Sequence, residues 1–299
     1  MDPILTDSVE SPYLVPFGQA FDAAAASTRP PEKQQKKENE KALGELSEQL
    51  QELQGRLYAH HQFSLLLVFQ ALDAAGKDGT IKAVMSGVNP TGCQVYSFKA
   101  PSVEELDHDF LWRIWRALPE RGRIGVFNRS HYEEVITVRV NPGFLDAQRL
   151  PLRPSLDQLW QERFDSIRQA EKHWARNGTV IVKFWLNVSR DEQRERLLDR
   201  INEPDGNWKF NASDLKTRRQ WDDYIRAYGH ALGETSMPWA PWYAIPADSK
   251  SFMRLTVAKI VVDTLAKLPM SYPTLSTEQR TAMQGVKAEL EAEGGRDKK

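Results

Sequence analysis

Residues 64–80 read Ser-Leu-Leu-Leu-Val-Phe-Gln-Ala-Leu-Asp-Ala-Ala-Gly-Lys-Asp-Gly-Thr. The apolar run Leu65 to Phe69 gives way to small residues and reaches Gly76-Lys77. A helical pattern then begins at Thr80, Ile81, Val84 and Met85. Strand, small-residue loop and helix in that order form an anion cradle. Loop amides and the helix N-terminus face negative charge, and a lysine adds a full positive one. The pattern G-x-x-x-x-G-K-[ST] is met imperfectly, because Ala71 stands at the first glycine and Asp78 at the magnesium-binding hydroxyl. The competing reading is an ordinary buried strand followed by a loop.

Asp73 bears on that choice. An acid inside an anion cradle opposes the cradle's own field unless a cation lies between acid and phosphate. Magnesium takes carboxylate, water and phosphate oxygens, so Asp73 can anchor it in place of the missing hydroxyl. The alternative is that Asp73 only caps the next helix.

Composition removes several function classes. A net charge of −1 over 299 residues gives no whole-molecule attraction to nucleic acid or to a membrane surface, although a local basic channel is compatible with it. The single cysteine, Cys93, rules out an internal disulfide framework and a multi-cysteine zinc site, and fits a reducing compartment. No apolar run has membrane-spanning length, and the acidic N-terminus (Asp2, Asp7, Glu10) lacks a basic signal-peptide region. A soluble cytoplasmic protein is expected.

The rest of the chain alternates strands with helices. Strands are expected at Cys93–Phe98, Ile124–Phe127, Thr179–Leu186 and Tyr243–Ile245. Helices are expected from the Ser102/Glu105 capping box to about Leu118, over Ser155–Asn177, after Ser189/Glu192, from Ser213 through Trp221, and over Ser249–Leu268. Pro30-Pro31 starts a charged helix whose leucines at 43, 46, 50, 53 and 57 make a narrow apolar stripe. That stripe meets either a partner subunit or the chain's own domain. Alternation of this kind implies a parallel sheet covered on both faces, with ligands beyond the carboxyl ends of its strands. The tail from Thr277 is polar and expected to fray unless Met283 and Leu290 dock it.

A second constellation follows the strand Gly125-Val126-Phe127, namely Asn128-Arg129-Ser130-His131-Tyr132-Glu133-Glu134. Asn128 occupies the usual position of a second acid; it can orient a water or magnesium ligand without adding charge. Arg129 would project over the phosphates, where its planar guanidinium neutralises charge, or it forms a structural bridge to Asp109 or Glu133. His131 reads as a hydrogen-bonded structural residue, since phosphoryl transfer relies on positioning and charge neutralisation. Glu133 and Glu134 are adjacent, about 100° apart on a helix, and cannot form one carboxylate pair.

Together these residues resemble the polyphosphate kinase 2 family. The resemblance rests on Asp73 to Lys82, Ser86-Gly87-Val88-Asn89-Pro90, Ser97 to Ser102, Phe127 to Glu133, Trp221-Asp222-Asp223-Tyr224 and Pro241-Trp242-Tyr243, and spans roughly residues 43–268. The Asn-Arg-Ser-His-Tyr-Glu form is similar to the class III branch, whose members phosphorylate nucleoside monophosphates and diphosphates from polyphosphate. The resemblance implies a P-loop kinase-like three-layer α/β/α fold with a parallel sheet of about five strands and a helical lid at about residues 189–220. It divides the chain into an N-terminal extension over 1–42, a phosphotransferase domain over 43–270 and a tail over 271–299.

It also implies the site. Asp73 anchors Mg2+, with Mn2+ as a substitute, and Lys77 is the loop lysine within Ala74, Ala75, Gly76, Asp78 and Gly79. Arg129 neutralises charge, Asn128 and Glu133 sit where acceptor classes differ, and lid residues Arg196 and Arg200 are candidate phosphate contacts. Lys82 either meets polyphosphate or is a surface lysine. Asp222 and Asp223 bind nucleotide or metal, or form a solvated face. Trp208, Trp239 and Trp242 stack a base or pack, with packing the commoner use of such tryptophans, and the Ala71 methyl tightens the phosphate turn.

Implied partners are inorganic polyphosphate and AMP, ADP and ATP, with no nucleic acid and no membrane, in a homo-oligomer, dimer or tetramer. The runner-up is an ATP-dependent nucleoside monophosphate kinase, and a reading from another class is a non-catalytic nucleotide-sensing module.

Overall fold

The computed structural model describes residues 7–32, 35–152, 154–203, 207 and 213–294. Its elements in chain order are α1 Lys36–His60, β1 Ser64–Gln70, α2 Lys77–Val84, β2 Cys93–Ser97, α3 Val103–Leu106, α4 Trp112–Trp115, β3 Ile124–Asn128 and α5 Thr137–Val140. They continue with α6 Leu156–Arg176, β4 Thr179–Asn187, α7 Arg190–Asn202, α8 Ser213–Arg219, α9 Trp221–Thr235, β5 Trp242–Pro246, α10 Lys250–Ala266 and α11 Thr277–Gly294.

The five strands form one parallel sheet in the order β2-β3-β1-β4-β5, as expected for a P-loop kinase-like α/β/α fold. Every residue of β1 and β4 is buried, which is why β1 reads as a continuous apolar run from Leu65 to Phe69 and β4 as an apolar run interrupted only by Lys183, rather than as alternating strands. Side chains of β1 nevertheless divide between two cores. Leu65, Leu67 and Phe69 pack with Leu50 and Leu57 of α1, Ile81 of α2 and Val257 and Val261 of α10. Leu66 and Val68 face the other side with Phe164 and Ile167 of α6 and Ala231 and Leu232 of α9. Carrying α2 to one face and α5–α6 to the other leaves a crevice beyond the carboxyl ends of β1 and β3.

Several local expectations change. The leucine-striped helix begins at Lys36 rather than at Pro30-Pro31, and Leu50 and Leu57 bury against their own domain. The single helix expected from Ser102 to Leu118 is two short ones. The capping box on Ser102 forms, but the Asp109 carboxylate accepts from the Leu111 amide (2.9 Å) and turns the chain between them. The N-terminal extension is not merely irregular: Tyr13 and Val15 bond the main chain of Ala244 and Trp242 across an antiparallel bridge at Leu14–Tyr243, covering the free edge of β5. The tail forms α11, yet Met283, Val286 and Leu290 are exposed rather than docked. No helix among the described residues is long and apolar enough to cross a membrane.

Candidate active site

The loop between β1 and α2 is shaped by two residues with positive φ, Ala74 (60°) and Gly76 (101°). Gly76 has a further reason to lack a side chain, since a Cβ there would lie 3.2 Å from Met253 Cε. Ala74 carries the left-handed strain without glycine's freedom, a cost of about 1–2 kcal/mol. Ala71, by contrast, has no positive φ, and its methyl lies in the core below the sheet end. The left-handed conformations of the turn fall on Ala74 and Gly76 rather than on Ala71.

Arg196 of α7 holds this loop from behind. Its guanidinium donates to Ala75 O (2.9 Å), Ala74 O (3.3 Å), Ala247 O (2.6 Å) and Asp248 O (3.1 Å), and its Nε to Glu192 (2.8 Å). Gln193, fully buried, donates to Asp73 O at 3.0 Å. With these carbonyls tied down, loop amides remain for an anion, which is how a helix N-terminus binds phosphate. The structure thus places Arg196 as a buried clamp of the loop.

Lys77 heads α2 and donates through Nζ to Ala71 O at 2.9 Å. Burial pushes its ammonium down to about 8 and the neighbouring Arg129 adds to the fall, while Asp73, Glu133 and Asp78 oppose it. At the end of β3, Asn128 donates to Asp78 Oδ1 (2.8 Å), joining that strand end to the first turn of α2.

Arg129 lies in the left-handed region (φ 63°), and its amide bonds Phe69 O of β1 at 3.0 Å. Its guanidinium reaches Asp73 Oδ1 at 2.8 Å and Glu133 Oε2 at 3.3 Å. Glu133, then Asp73, raise its pKa against the cost of burial, so the group is a fixed cation. The Asp109 bridge does not form; the Glu133 bridge does, and Asp73 joins it. Glu133 also accepts from Thr137 Oγ1 at 2.6 Å. In the amide orientation that satisfies both its ends, Gln70 donates to the other Glu133 oxygen at 3.0 Å.

Glu134 points elsewhere, to buried Arg163 (2.6 Å) and Gln148 (2.7 Å), so the two adjacent acids form no pair. His131 is buried under Trp174 and Tyr132, away from the crevice. Its Nε2 is 3.4 Å from Glu171 without hydrogen-bond geometry, and burial pushes its pKa down.

Asp73, Arg129 and Glu133 open onto a cleft of about 670 Å3, closed by Phe98–Pro101, Asn141, Phe144 and Lys216, Tyr224 and Tyr228. A cleft this size holds a nucleotide-sized ligand. Asp214 lines it and bonds Arg200 (3.0 Å); burial and Asp73 push the Asp214 carboxyl up. Lys82 is exposed on α2. Asp222 and Asp223 are exposed on α9, where Asp223 pairs with Arg226. Trp242 is fully buried with Nε1 on Thr235 Oγ1 (2.9 Å), and Trp239 lies under Lys172, so both pack. Trp208 lies outside the described residues.

Sequence reading thus finds Asp73, Lys77, Asp78, Asn128, Arg129 and Glu133, which the structure gathers at one place. It misses Gln70, Thr137 and Gln193, whose polar ends bind these residues or their loop; a polar residue in an apolar run, such as Gln70, was the only signal.

Residues 33–271 match the family model of polyphosphate kinase 2. The chain is 53% identical over 244 residues to the ADP-polyphosphate phosphotransferase of Rhodopseudomonas palustris, covering 81% of this chain and 84% of that protein. It is 46% identical over 236 residues to the AMP/ADP-polyphosphate phosphotransferase of Meiothermus ruber, covering 79% and 84%. The crystal structure of polyphosphate kinase 2 from Arthrobacter aurescens superposes with a TM-score of 0.84 at 34% identity, covering 95% of this chain and 99% of that one.

Proposed function

The chain belongs to the polyphosphate kinase 2 family and is a polyphosphate-dependent nucleotide phosphotransferase, and from that premise we propose that the loop around Lys77 holds the polymer's end while the 670 Å3 cleft admits AMP or ADP. The observation that carries this reading is the position of Arg129, bonded to Asp73 of the loop and Glu133 of the cleft at once.

Phosphoryl transfer asks for alignment and charge neutralisation rather than covalent help. Loop amides and Lys77 hold the oxygens of the terminal phosphoryl, and Arg129 takes up charge on its equatorial oxygens. An α-phosphate oxygen of AMP, or a β-phosphate oxygen of ADP, attacks that phosphorus in line. The bond to the bridging oxygen breaks, and the polymer departs one unit shorter with the electron pair on its new end. The acceptor oxygen is already ionised at neutral pH, so no general base is needed. That agrees with a site where His131 is buried away and Glu133 is fully engaged. The products are ADP and ATP, and the reaction runs in either direction.

Mg2+ fits the donors present. No three Asp, Glu, His or Cys side chains converge on one point among the described residues. Of the acids lining the cleft, Glu133, Glu134 and Asp214 are bonded to Arg129 and Thr137, to Arg163 and Gln148, and to Arg200, while Asp73 belongs to the loop itself, and one carboxylate completed by water and phosphate oxygens is the usual magnesium set. Asp73 would hold the ion, which when bound neutralises phosphate charge; Mn2+ would serve in its place. A cytoplasmic homo-oligomer completes the reading.

The donor decides between this and an ATP-dependent monophosphate kinase. Incubation with AMP, Mg2+ and long-chain polyphosphate should yield ADP without ATP present. ADP formed only when ATP is supplied would establish the other enzyme.

A further inference from the structure

Lys183 lies in the middle of the sheet, level with Val68 of β1 and Trp242 of β5, and is fully buried. Its ammonium donates to Glu171 Oε2 of α6 (2.6 Å), to Tyr132 OH (2.7 Å) and to Thr235 O at the end of α9 (2.8 Å). Tyr132 in turn donates to the second Glu171 oxygen at 2.7 Å. All three N–H donors of the lysine and both oxygens of the acid are thereby used. The rings of Tyr132 and Trp242 meet edge to face at 4.7 Å, with the ammonium 5.1 Å and 5.2 Å from their centroids.

Stability alone does not account for this cluster. A buried ion pair is often no more stabilising than apolar residues of the same size, and this one lies against the apolar core that holds Tyr132 and Trp242. What the network holds is more specific. Tyr132 lies three residues after Arg129 and one before Glu133, in the short 3-10 turn His131–Glu134. Arg129 has the strained φ of 63°, and such a conformation persists only where its flanks are fixed. One flank is the Arg129 amide on Phe69 O. The other flank is this turn, held at its far end by Glu134 on Arg163 and, nearer Arg129, by Tyr132 on Glu171 and Lys183.

We propose that Lys183, acting through Tyr132 and Glu171, is a positioning residue that aims Arg129 and Glu133 from behind the sheet. The inference rests on the phosphotransfer reading above. It predicts an effect on turnover rather than on substrate binding, because a small misplacement of a transition-state contact lowers the rate more than the affinity.

Tyr132→Phe severs the turn from the network while keeping the ring. Lys183→Met with Glu171→Gln removes both charges together, so that no unpaired ion is left buried. Each is compared with wild type for kcat, for KM of polyphosphate and acceptor, and by thermal melting; a crystal structure of Tyr132→Phe accompanies them. The expected result is a folded Tyr132→Phe whose kcat is down about 10-fold to 100-fold. Both KM values should stay within about twofold, and Arg129 should be displaced from Asp73 in the crystal. The double variant should fold and behave alike.

A folded Tyr132→Phe with kcat within about twofold of wild type overturns the proposal, as does a raised KM with unchanged kcat, or loss of folding in Tyr132→Phe itself. A wild-type protein without polyphosphate-dependent turnover would instead sink the activity reading. The crystal structure would then decide this inference alone, with an unmoved Arg129 counting against it.

Discussion

Arg129 donates to the Asp73 carboxylate at 2.8 Å, tying the turn after β3 to the loop after β1. The bond places a permanent cation and a carboxylate side by side at the mouth of the cleft. Phosphate arriving there meets attraction from Arg129 and Lys77 and repulsion from Asp73, unless a divalent ion intervenes. Each charge in that opposition can be removed separately.

Asp73→Asn keeps the shape and an oxygen for Arg129 but removes the charge that would hold magnesium. Transfer should fall by about 10^2-fold to 10^3-fold, the scale seen when one preorganised electrostatic contact is lost. Circular dichroism should be unchanged. Near-normal turnover at ordinary Mg2+ would remove Asp73 from the site.

Lys77 supplies a pH test. Its folded-state pKa is depressed to about 8, so the free protein loses this charge as pH rises through that value, well before an exposed lysine would. Bound polyphosphate favours the charged form, so the KM for polyphosphate should rise above pH 8, by up to about tenfold per pH unit if only the ammonium binds. The KM for AMP should change much less. Lys77→Arg, which does not titrate in this range, should flatten the profile even if its kcat is low. A polyphosphate KM constant from pH 7 to 9.5 in the wild type would contradict the assignment.

The cradle was legible because its information is local: an apolar run, small residues, Gly76-Lys77 and a helical period lie within one short stretch. The Asn128–Glu133 segment was legible for the same reason. Strand order and the chemistry of residues meeting across the sheet were not. Arg196 has the residue type of a phosphate ligand, and only its position behind the loop spends its guanidinium on Ala74 and Ala75 carbonyls. Lys183 sits inside Thr179–Asn187, a strand otherwise dominated by large apolar side chains, and its partners Glu171 and Thr235 lie on separate helices. The helix expected over residues 102–118 failed because Asp109 bonds a nearby amide, a competition that periodicity does not register.

Glu133 bonds Arg129 and Thr137 beside the cleft, so its loss should be felt by the acceptor phosphates. Glu133→Gln should change kcat/KM for AMP more than for ADP, by at least about fivefold, a difference of about 1 kcal/mol. Parallel assays with the two acceptors decide it, and equal losses on both would refute a role in acceptor choice.

Polyphosphate has neither base nor sugar, so its recognition should be almost wholly ionic. Raising the ionic strength from about 0.05 M to 0.5 M shortens the Debye length several-fold, and the KM for polyphosphate should rise several-fold more than that for AMP. Equal salt dependence for both would place the polymer on a site without fixed cations.

The most direct measurement is a crystal structure with Mg2+, AMP and a non-hydrolysable phosphonate analogue of short-chain polyphosphate. The terminal phosphonate should lie against the amides around Gly76 with Lys77 and Arg129 on its oxygens, the metal on Asp73, and the AMP phosphate in the cleft in line with it. Analogue density elsewhere on the molecule, with these four residues untouched, would contradict the account.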